Sequence, residues 1–147
     1  MRVIIPVRRN STRIPHKALK LFEGKEMILH VLGMLLNMNY ITDITITTDD
    51  EEIIKLCEGC RKTRIVRRPP ELCLDEVPLF DVVEHALEIP GMFGGAATII
   101  VIYPCACLLT HDDLMRGIYL SKFNPEFAVM SMRKNNALRS YVMSPEG

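Results

Sequence analysis

The sequence predicts an α/β fold built on a mostly parallel, open sheet that carries helices on both faces. Short apolar runs rich in β-branched residues alternate along the chain with segments whose apolar residues recur at helical spacing. Strands in this β, α, β, α order pair in parallel, and their right-handed crossovers place helices on both faces of the sheet. A chain of 147 residues has the length of one ordinary domain, so we expect a single domain over residues 1–147.

Each element follows from a particular run of residues. The β-branched runs predict strands over residues 3–7, 44–48, 63–67, 97–103 and 127–132, with another strand starting at 141–143. Helical spacing predicts helices over residues 27–36, 53–57, 79–87 and 112–122. In the third of these helices, the apolar stripe is expected at Phe80, Val83 and Leu87.

The uncharged stretch over residues 89–110 has about the length of a membrane span. Two prolines and three glycines interrupt it, which leaves a short β-branched run typical of a buried strand. We therefore expect no membrane partner. The five cysteines form an odd set behind no recognisable secretory leader, and their spacing does not match paired zinc knuckles. These features favour a cytoplasmic protein without structural zinc.

Charge is balanced over the whole chain but clustered locally. With 18 basic and 18 acidic residues the formal net charge is zero, so no overall field draws the protein onto nucleic acid, and no such partner is expected. One basic cluster lies within residues 8–17 and a second within residues 61–68. Either cluster taken alone is more typical of solvated surface charge than of a binding site.

The predicted topology brings the two basic clusters together. In an open parallel sheet the carboxyl ends of the strands share one edge, and ligands bind in the crevice outside that edge. The loops at this edge cover residues 8–17, 48–50, 67–70 and 103–107. Because the first cluster and the end of the second, Arg67 and Arg68, fall in these loops, the sequence predicts a site for an anionic ligand.

The loop RRNSTRIPHK, residues 8–17, carries the groups that a triphosphate needs. Arginine side chains grip phosphate oxygens in a fork, lysine supplies a mobile point charge, and short polar side chains add hydrogen bonds. Such cations also stabilise the charge that develops during phosphoryl-type transfer. The loop is neither a Walker loop nor a dinucleotide-binding fingerprint, because the glycines of both motifs are absent.

The segment IIPVRRNSTRIPHK, residues 4–17, resembles the first strand and loop of the cytidylyltransferases that activate acidic sugars. The resemblance continues through GKEMILHVL, TTDDEEI, RRPPELCLDEVPLFDVVEHALE and IYPCACLLTHDDLMRG, in family order. The first loop is shared with the enzymes that activate 3-deoxy-manno-octulosonate. The RPxELxxD segment and the IYPxAxxL strand are more similar to the acylneuraminate and pseudaminate enzymes. Cys105 and Cys107 depart from the usual Thr or Ser and the usual Pro.

This resemblance implies a Rossmann-like fold of the nucleotide-diphospho-sugar transferase type, of which the chain would be a truncated, N-terminal part. It implies a protein that uses CTP, an acidic nonulosonic sugar and Mg²⁺ to form CMP-sugar and pyrophosphate. A homodimer is expected on separate grounds, because a sheet interrupted near Tyr141 leaves an unpaired edge and uncovered apolar surface. The alternatives are a 3-deoxy-manno-octulosonate cytidylyltransferase and a non-catalytic protein that binds CTP or phosphate. Arg8 and Lys17 would be catalytic, and the nucleotide would be bound by Arg8, Asn10, Ser11, Arg13, Lys17, Arg68 and Tyr103.

Several polar residues near these loops have simpler interpretations. Asp49 and Asp50 stand where Mg²⁺ ligands would be useful, but the run Thr-Asp-Asp-Glu-Glu is typical of a helix N-terminus with a capping oxygen. Thr110 precedes a helix in the same way, and we predict a cap there as well. His16, next to Pro15 in the loop, is expected to be solvated. The sequence thus identifies no metal ligands.

Overall fold

A four-stranded parallel sheet forms the centre of the computed structural model, which describes residues 1–11, 14–91 and 98–131. In chain order the strands are β1 (Arg2–Val7), β2 (Leu21–Phe22), β3 (Lys25–Glu26), β4 (Asp43–Thr48), β5 (Thr63–Arg67) and β6 (Ile99–Val101). The α-helices are α1 (Met27–Leu36), α2 (Glu51–Cys57), α3 (Leu79–Glu88) and α4 (His111–Phe123), and two 3-10 helices cover Lys17–Leu19 and Pro70–Cys73.

The strand order β5-β4-β1-β6 explains where a ligand is expected. From β1 to β4 to β5 the chain moves in one direction across the sheet, and it then returns past β1 to form β6. With right-handed crossovers, this reversal places α3 on the face opposite α1 and α2. The predicted α/β class is confirmed. The topological switch point, where ligands bind in open α/β sheets, lies between β1 and β6.

The core lies around β1, which is buried from Val3 to Val7. A strand with neighbours on both sides and helices on both faces has no solvent-facing side, which is why it is apolar throughout instead of alternating. On one face, α1 buries the residues Ile28, Val31, Leu32 and Leu35, spaced at three and four positions. The sheet therefore provides a rigid origin for the loop that follows Val7.

The prediction that Phe80, Val83 and Leu87 form the buried apolar stripe of α3 is wrong. The helix buries Val82 and Ala86, and it packs on β1 and β4, whereas the Phe80 side chain is 70% exposed. Since successive residues are about 100° apart around a helix, Phe80 lies about 200° from Val82, on the side away from the sheet. Helical spacing alone predicted the helix but not which of its two apolar rows faces the core.

Three predicted strands and four predicted helices are confirmed with a difference of at most two residues in length, and three differences remain. The hairpin of β2 and β3 was not predicted; its turn residues Glu23 and Gly24 both have positive φ, as in a type I′ turn. The strand over 97–103 is shorter, at Ile99–Val101. Residues 127–131 form no strand and are exposed, so they bury no apolar face, and residues 132 and 141–143 lie outside the described residues.

A second compact unit begins at Thr110, after the first unit Met1–Leu109 that contains the sheet. The predicted cap of α4 is confirmed: the Thr110 hydroxyl accepts the backbone N–H of Asp113, whose carboxylate in turn accepts the backbone N–H of Thr110. Among the helices that the structure describes, none combines the length and apolar character needed to cross a membrane. The single domain over 1–147 stays a prediction.

Candidate functional site

A cavity of about 320 Å³ opens in the first unit at the carboxyl ends of β1 and β5. Its walls come from the loop after β1, the segment between β5 and α3, the start of α3, and the turn after β6. This is the switch point where the topology predicts a ligand. The lining residues are Pro6, Val7, Arg8, Ser11, Lys17, Ala18, Arg68, Leu72, Leu74, Asp75, Val77, Leu79, Val82, Tyr103, Pro104 and Cys105.

Arg68 is the most constrained of the three cations in this lining. The residue is only 8% exposed, and its Nη2 donates a hydrogen bond of 2.9 Å to the carbonyl oxygen of Thr47. Its Nε is buried and has no hydrogen-bond partner among the described residues. Burial lowers the pKa of Arg68, and the nearby charge of Arg8 lowers it further. A buried cation with an unused donor is suited to an anionic or carbonyl-bearing ligand.

Arg8 reaches the same cavity from the loop after β1. Its guanidinium forms an ion pair with the carboxylate of Asp75 and donates a hydrogen bond of 3.0 Å to the carbonyl oxygen of Leu74. These contacts hold the segment that follows the Pro70–Cys73 helix against the loop. Asp75 was missed as a site residue, although it lies within the segment RRPPELCLD that carries the family resemblance.

The cavity combines these cations with an apolar wall. Lys17 lines the cavity from the start of the 3-10 helix. The apolar side chains in the lining are Leu72, Leu74, Val77, Leu79 and Val82. Tyr103, 56% exposed, completes the lining after β6. Sites for small molecules typically join such an apolar surface to a few polar groups that fix orientation. The arrangement suits a ligand that carries both an apolar ring and several negative charges.

The structure brings five of the seven predicted site residues into one lining, namely Arg8, Ser11, Lys17, Arg68 and Tyr103. It does not bring in Asn10, whose side chain is exposed at the bend after Arg9. Arg13 lies outside the described residues. The roles assigned to all seven residues remain predictions.

The acidic start of α2 holds the loop after β1 in place. Asp50 caps α2, because its Oδ1 accepts the backbone N–H of Glu52 at 3.0 Å, and this predicted cap is confirmed. Asp49 does something else: its Oδ1 accepts the backbone N–H of Arg9 at 2.8 Å. His16 is not fully solvated as expected, because its Nδ1 is buried and lies 3.5 Å from Asp50 Oδ2. Both ends of the loop therefore contact the start of α2.

The lining does not fit a protein-held Mg²⁺. Mg²⁺ is usually bound by one or two carboxylates together with phosphate oxygens and water. Asp75 is the single carboxylate in the described lining, and it is already paired with Arg8.

The cytidylyltransferase family matches residues 2–89. A 3-deoxy-manno-octulosonate cytidylyltransferase of Psychrobacter cryohalolentis is 44% identical over 55 residues, which are 37% of this chain and 20% of the relative. A pseudaminic acid cytidylyltransferase of Campylobacter jejuni is 34% identical over 86 residues, which are 58% of this chain and 37% of the relative. The chain thus spans between a fifth and about two-fifths of the length of these curated relatives.

The fold is also similar to a solved structure of CMP:2-keto-3-deoxy-manno-octonic acid synthetase complexed with CTP. The TM-score is 0.64 at 22% sequence identity, and the match covers 84% of this chain and 47% of that chain. At this identity the likeness shows the fold, which agrees with the parallel sheet described above.

Proposed function

The chain belongs to the cytidylyltransferase family, and from this we propose that it binds CTP and takes part in transferring the cytidylyl group to an acidic sugar. The observation that carries the proposal is the cavity at the switch point, whose lining includes Arg8, Lys17 and the buried Arg68. Three cations suit a triphosphate with several negative charges. The unpartnered Nε of Arg68 adds a donor that a ligand oxygen would satisfy.

In the proposed reaction, the anomeric hydroxyl oxygen of the sugar attacks the α-phosphorus of CTP. A new oxygen–phosphorus bond forms, the bond from that phosphorus to the bridging oxygen breaks, pyrophosphate leaves, and the hydroxyl proton passes to solvent. Arg8 and Lys17 would stabilise the charge on the non-bridging oxygens as it develops. The apolar wall would hold the cytosine ring, and the contribution of the protein is mainly to position and neutralise.

We propose a nonulosonic acid of the acylneuraminate or pseudaminate type as the sugar. The match to the pseudaminic acid enzyme supports this choice, because it extends over 86 residues and more than half of the chain. A second candidate is 3-deoxy-manno-octulosonate, which the higher identity over a shorter segment of the Psychrobacter relative supports. The two candidates differ in the group that must be recognised beyond the shared carboxylate.

Calorimetric titration tests the nucleotide. We expect CTP to bind more tightly than ATP or GTP, because the space between the loop after β1 and Arg68 suits a small pyrimidine ring. Equal or tighter binding of a purine nucleotide would contradict the proposal. Pyrophosphate release with CTP and a panel of pseudaminate, neuraminate and 3-deoxy-manno-octulosonate then identifies the sugar. CTP binding without release for any sugar would favour the non-catalytic alternative.

Replacing Asp75 with asparagine is expected to tighten CTP binding about two- to fivefold. The substitution frees Arg8 from its ion pair and removes a carboxylate that repels phosphate, and a part-exposed pair of this kind contributes at most about 1 kcal/mol. Glu76→Gln is the matched control, because Glu76 is an exposed neighbouring acid outside the lining. Weaker binding by Asp75→Asn would mean that the carboxylate holds Arg8 in its binding position or contacts the ligand.

We also propose that the protein forms a homodimer, the simplest closed assembly. Among the residues that the structure describes, large apolar side chains that are more than half exposed include Phe80, Leu108, Tyr119, Phe123 and Phe127. Exposed apolar surface of this kind favours self-association. Light scattering is expected to give twice the mass of one chain, and a monomer at high protein concentration would contradict this.

A further inference from the structure

His16, Asp50 and Glu52 form a group of potential metal ligands outside the cavity lining. His16 lies in the loop after β1, Asp50 caps α2, and Glu52 is in the first turn of that helix. One ligand atom from each of the three residues lies within 4.8 Å of the other two. None of the three lines the cavity that holds Arg8, Lys17 and Arg68. The group is therefore separate from the proposed nucleotide site.

The contact between His16 and Asp50 is incomplete as a hydrogen bond. The Nδ1 atom of His16 is buried and has no hydrogen-bond partner among the described residues. It faces Oδ2 of Asp50 at 3.5 Å, which is longer than an ordinary N–H···O hydrogen bond. The Asp50 side chain is only 3% exposed, and its other oxygen, Oδ1, is already used by the helix cap. A buried nitrogen and a buried carboxylate oxygen thus face each other without a close contact.

The spacing fits an ion between them. Two ligands at about 2.1 Å from a tetrahedral ion lie about 3.4 Å apart, close to the separation of His16 Nδ1 and Asp50 Oδ2. Glu52 is exposed, so a small rotation of its side chain can bring its carboxylate to the same ion as His16 Nδ1 and Asp50 Oδ2. One imidazole and two carboxylates suit Zn²⁺ and similar transition ions, whereas Mg²⁺ prefers a set of oxygen ligands.

We propose that His16, Asp50 and Glu52 bind one divalent transition-metal ion of the Zn²⁺ class. Asp49 adds a further acid to the same turn, whereas the Glu51 carboxylate is already paired with Arg67, so the ion would rely on the charges of Asp50 and Glu52. The ion would join the residue immediately before Lys17 to the start of α2, and it would thereby fix the end of the loop. The proposal does not rest on the proposed function, since it concerns other side chains.

Titration of the purified protein with Co²⁺, followed by visible absorption, tests the site. We expect one equivalent of Co²⁺ to give d–d bands without a thiolate charge-transfer band, and Zn²⁺ to displace it. His16→Ala and Glu52→Gln are each expected to weaken Co²⁺ binding at least about tenfold. The matched control is His111→Ala: His111 Nδ1 lies 3.4 Å from Asp112 Oδ1 in a similar but exposed pair, and this variant should bind Co²⁺ like the parent.

Several results would overturn the proposal. They are the absence of Co²⁺ binding, unchanged affinity in Glu52→Gln, displacement by an equal concentration of Mg²⁺, and a thiolate charge-transfer band, which would place the ion on cysteine. Burial raises the pKa of the Cys57 thiol to about 12, which disfavours the thiolate that the Cys57 and Cys60 pair would need. Glu52→Gln keeps the backbone N–H that Asp50 accepts, so this variant decides the question even if His16→Ala fails to fold.

Discussion

Replacing Lys17 with alanine is expected to weaken CTP binding about ten- to a hundredfold while the unfolding midpoint stays unchanged. Lys17 lines the cavity, and loss of one charge-assisted contact to phosphate costs about 1.5–3 kcal/mol. Its structural contribution is made by the backbone, whose carbonyl oxygen accepts the N–H of Lys20 at 3.2 Å, and alanine preserves this bond. Calorimetry and thermal unfolding of the variant and the parent measure the two effects separately.

Lys20→Ala is the matched control for this variant. Lys20 is exposed, belongs to the same 3-10 turn and does not line the cavity, so its loss removes an equal charge without a proposed contact. We expect CTP affinity to change little in Lys20→Ala. The affinity of the parent should also fall as salt rises, and the affinity of Lys17→Ala should fall less steeply. If the two substitutions weaken CTP binding equally, Lys17 is a solvated surface charge and does not contact the phosphates.

Replacing Arg68 with methionine is expected to reduce CTP affinity about ten- to a hundredfold and to change stability by no more than about 1 kcal/mol. The two effects separate because, in the part of the chain that the structure describes, the buried guanidinium forms no ion pair, and Asp49 and Cys73 act on it only through space. Methionine removes the cost of that buried charge and fills similar space, but it loses the bond to the Thr47 carbonyl oxygen. Affinity measured by calorimetry and free energy of unfolding measured in urea are the two readouts.

Arg67→Met serves as the neighbouring control. Arg67 is 69% exposed at its side chain and pairs with Glu51 instead of entering the cavity. Its hydrogen bond to Glu51 raises the pKa of Arg67 and lowers the pKa of the Glu51 carboxyl, as in a solvated ion pair. We expect its loss to leave CTP binding almost unchanged. If Arg68→Met binds CTP like the parent and only loses stability, Arg68 is structural.

The sheet was largely predictable because the signals that form it are local. The β-branched runs at residues 3–7, 44–48 and 63–67 each predict a strand without reference to the rest of the chain. The edge at which the cavity lies then follows from the parallel arrangement of the strands, whereas the strand order β5-β4-β1-β6 was not predicted. The hairpin of β2 and β3 was not predicted, because strands of two residues have no periodicity. Its turn also begins with Glu23 at positive φ, a position where the usual sequence signal is Gly, Asn or Asp.

The contacts within the site were not predictable in the same way. Arg8 meets Asp75 and Leu74, and His16 meets Asp50, through pairings between segments far apart in the sequence. Charge and spacing predict that such residues share an edge of the sheet. They do not predict which pairs of side chains are in contact. The interpretation of His16 as solvated was only partly right for this reason: its side chain is 39% exposed, but nothing next to it in the chain reveals that Asp50 lies against its ring.

The two walls of the cavity differ in stiffness. β1 and β4 are in register from Arg2 and Asp43 to Val7 and Thr48, whereas β6 follows β1 only as far as Ile4 and Val101. Local opening is easiest where few hydrogen bonds must break together. We therefore expect thermal fluctuation to be concentrated at the wall that carries Tyr103, whereas the backbone N–H of Arg68 is bonded to the Thr48 carbonyl oxygen at 2.9 Å. A ligand that enters past the softer wall meets cations already in position, and little of its binding free energy is lost in ordering them.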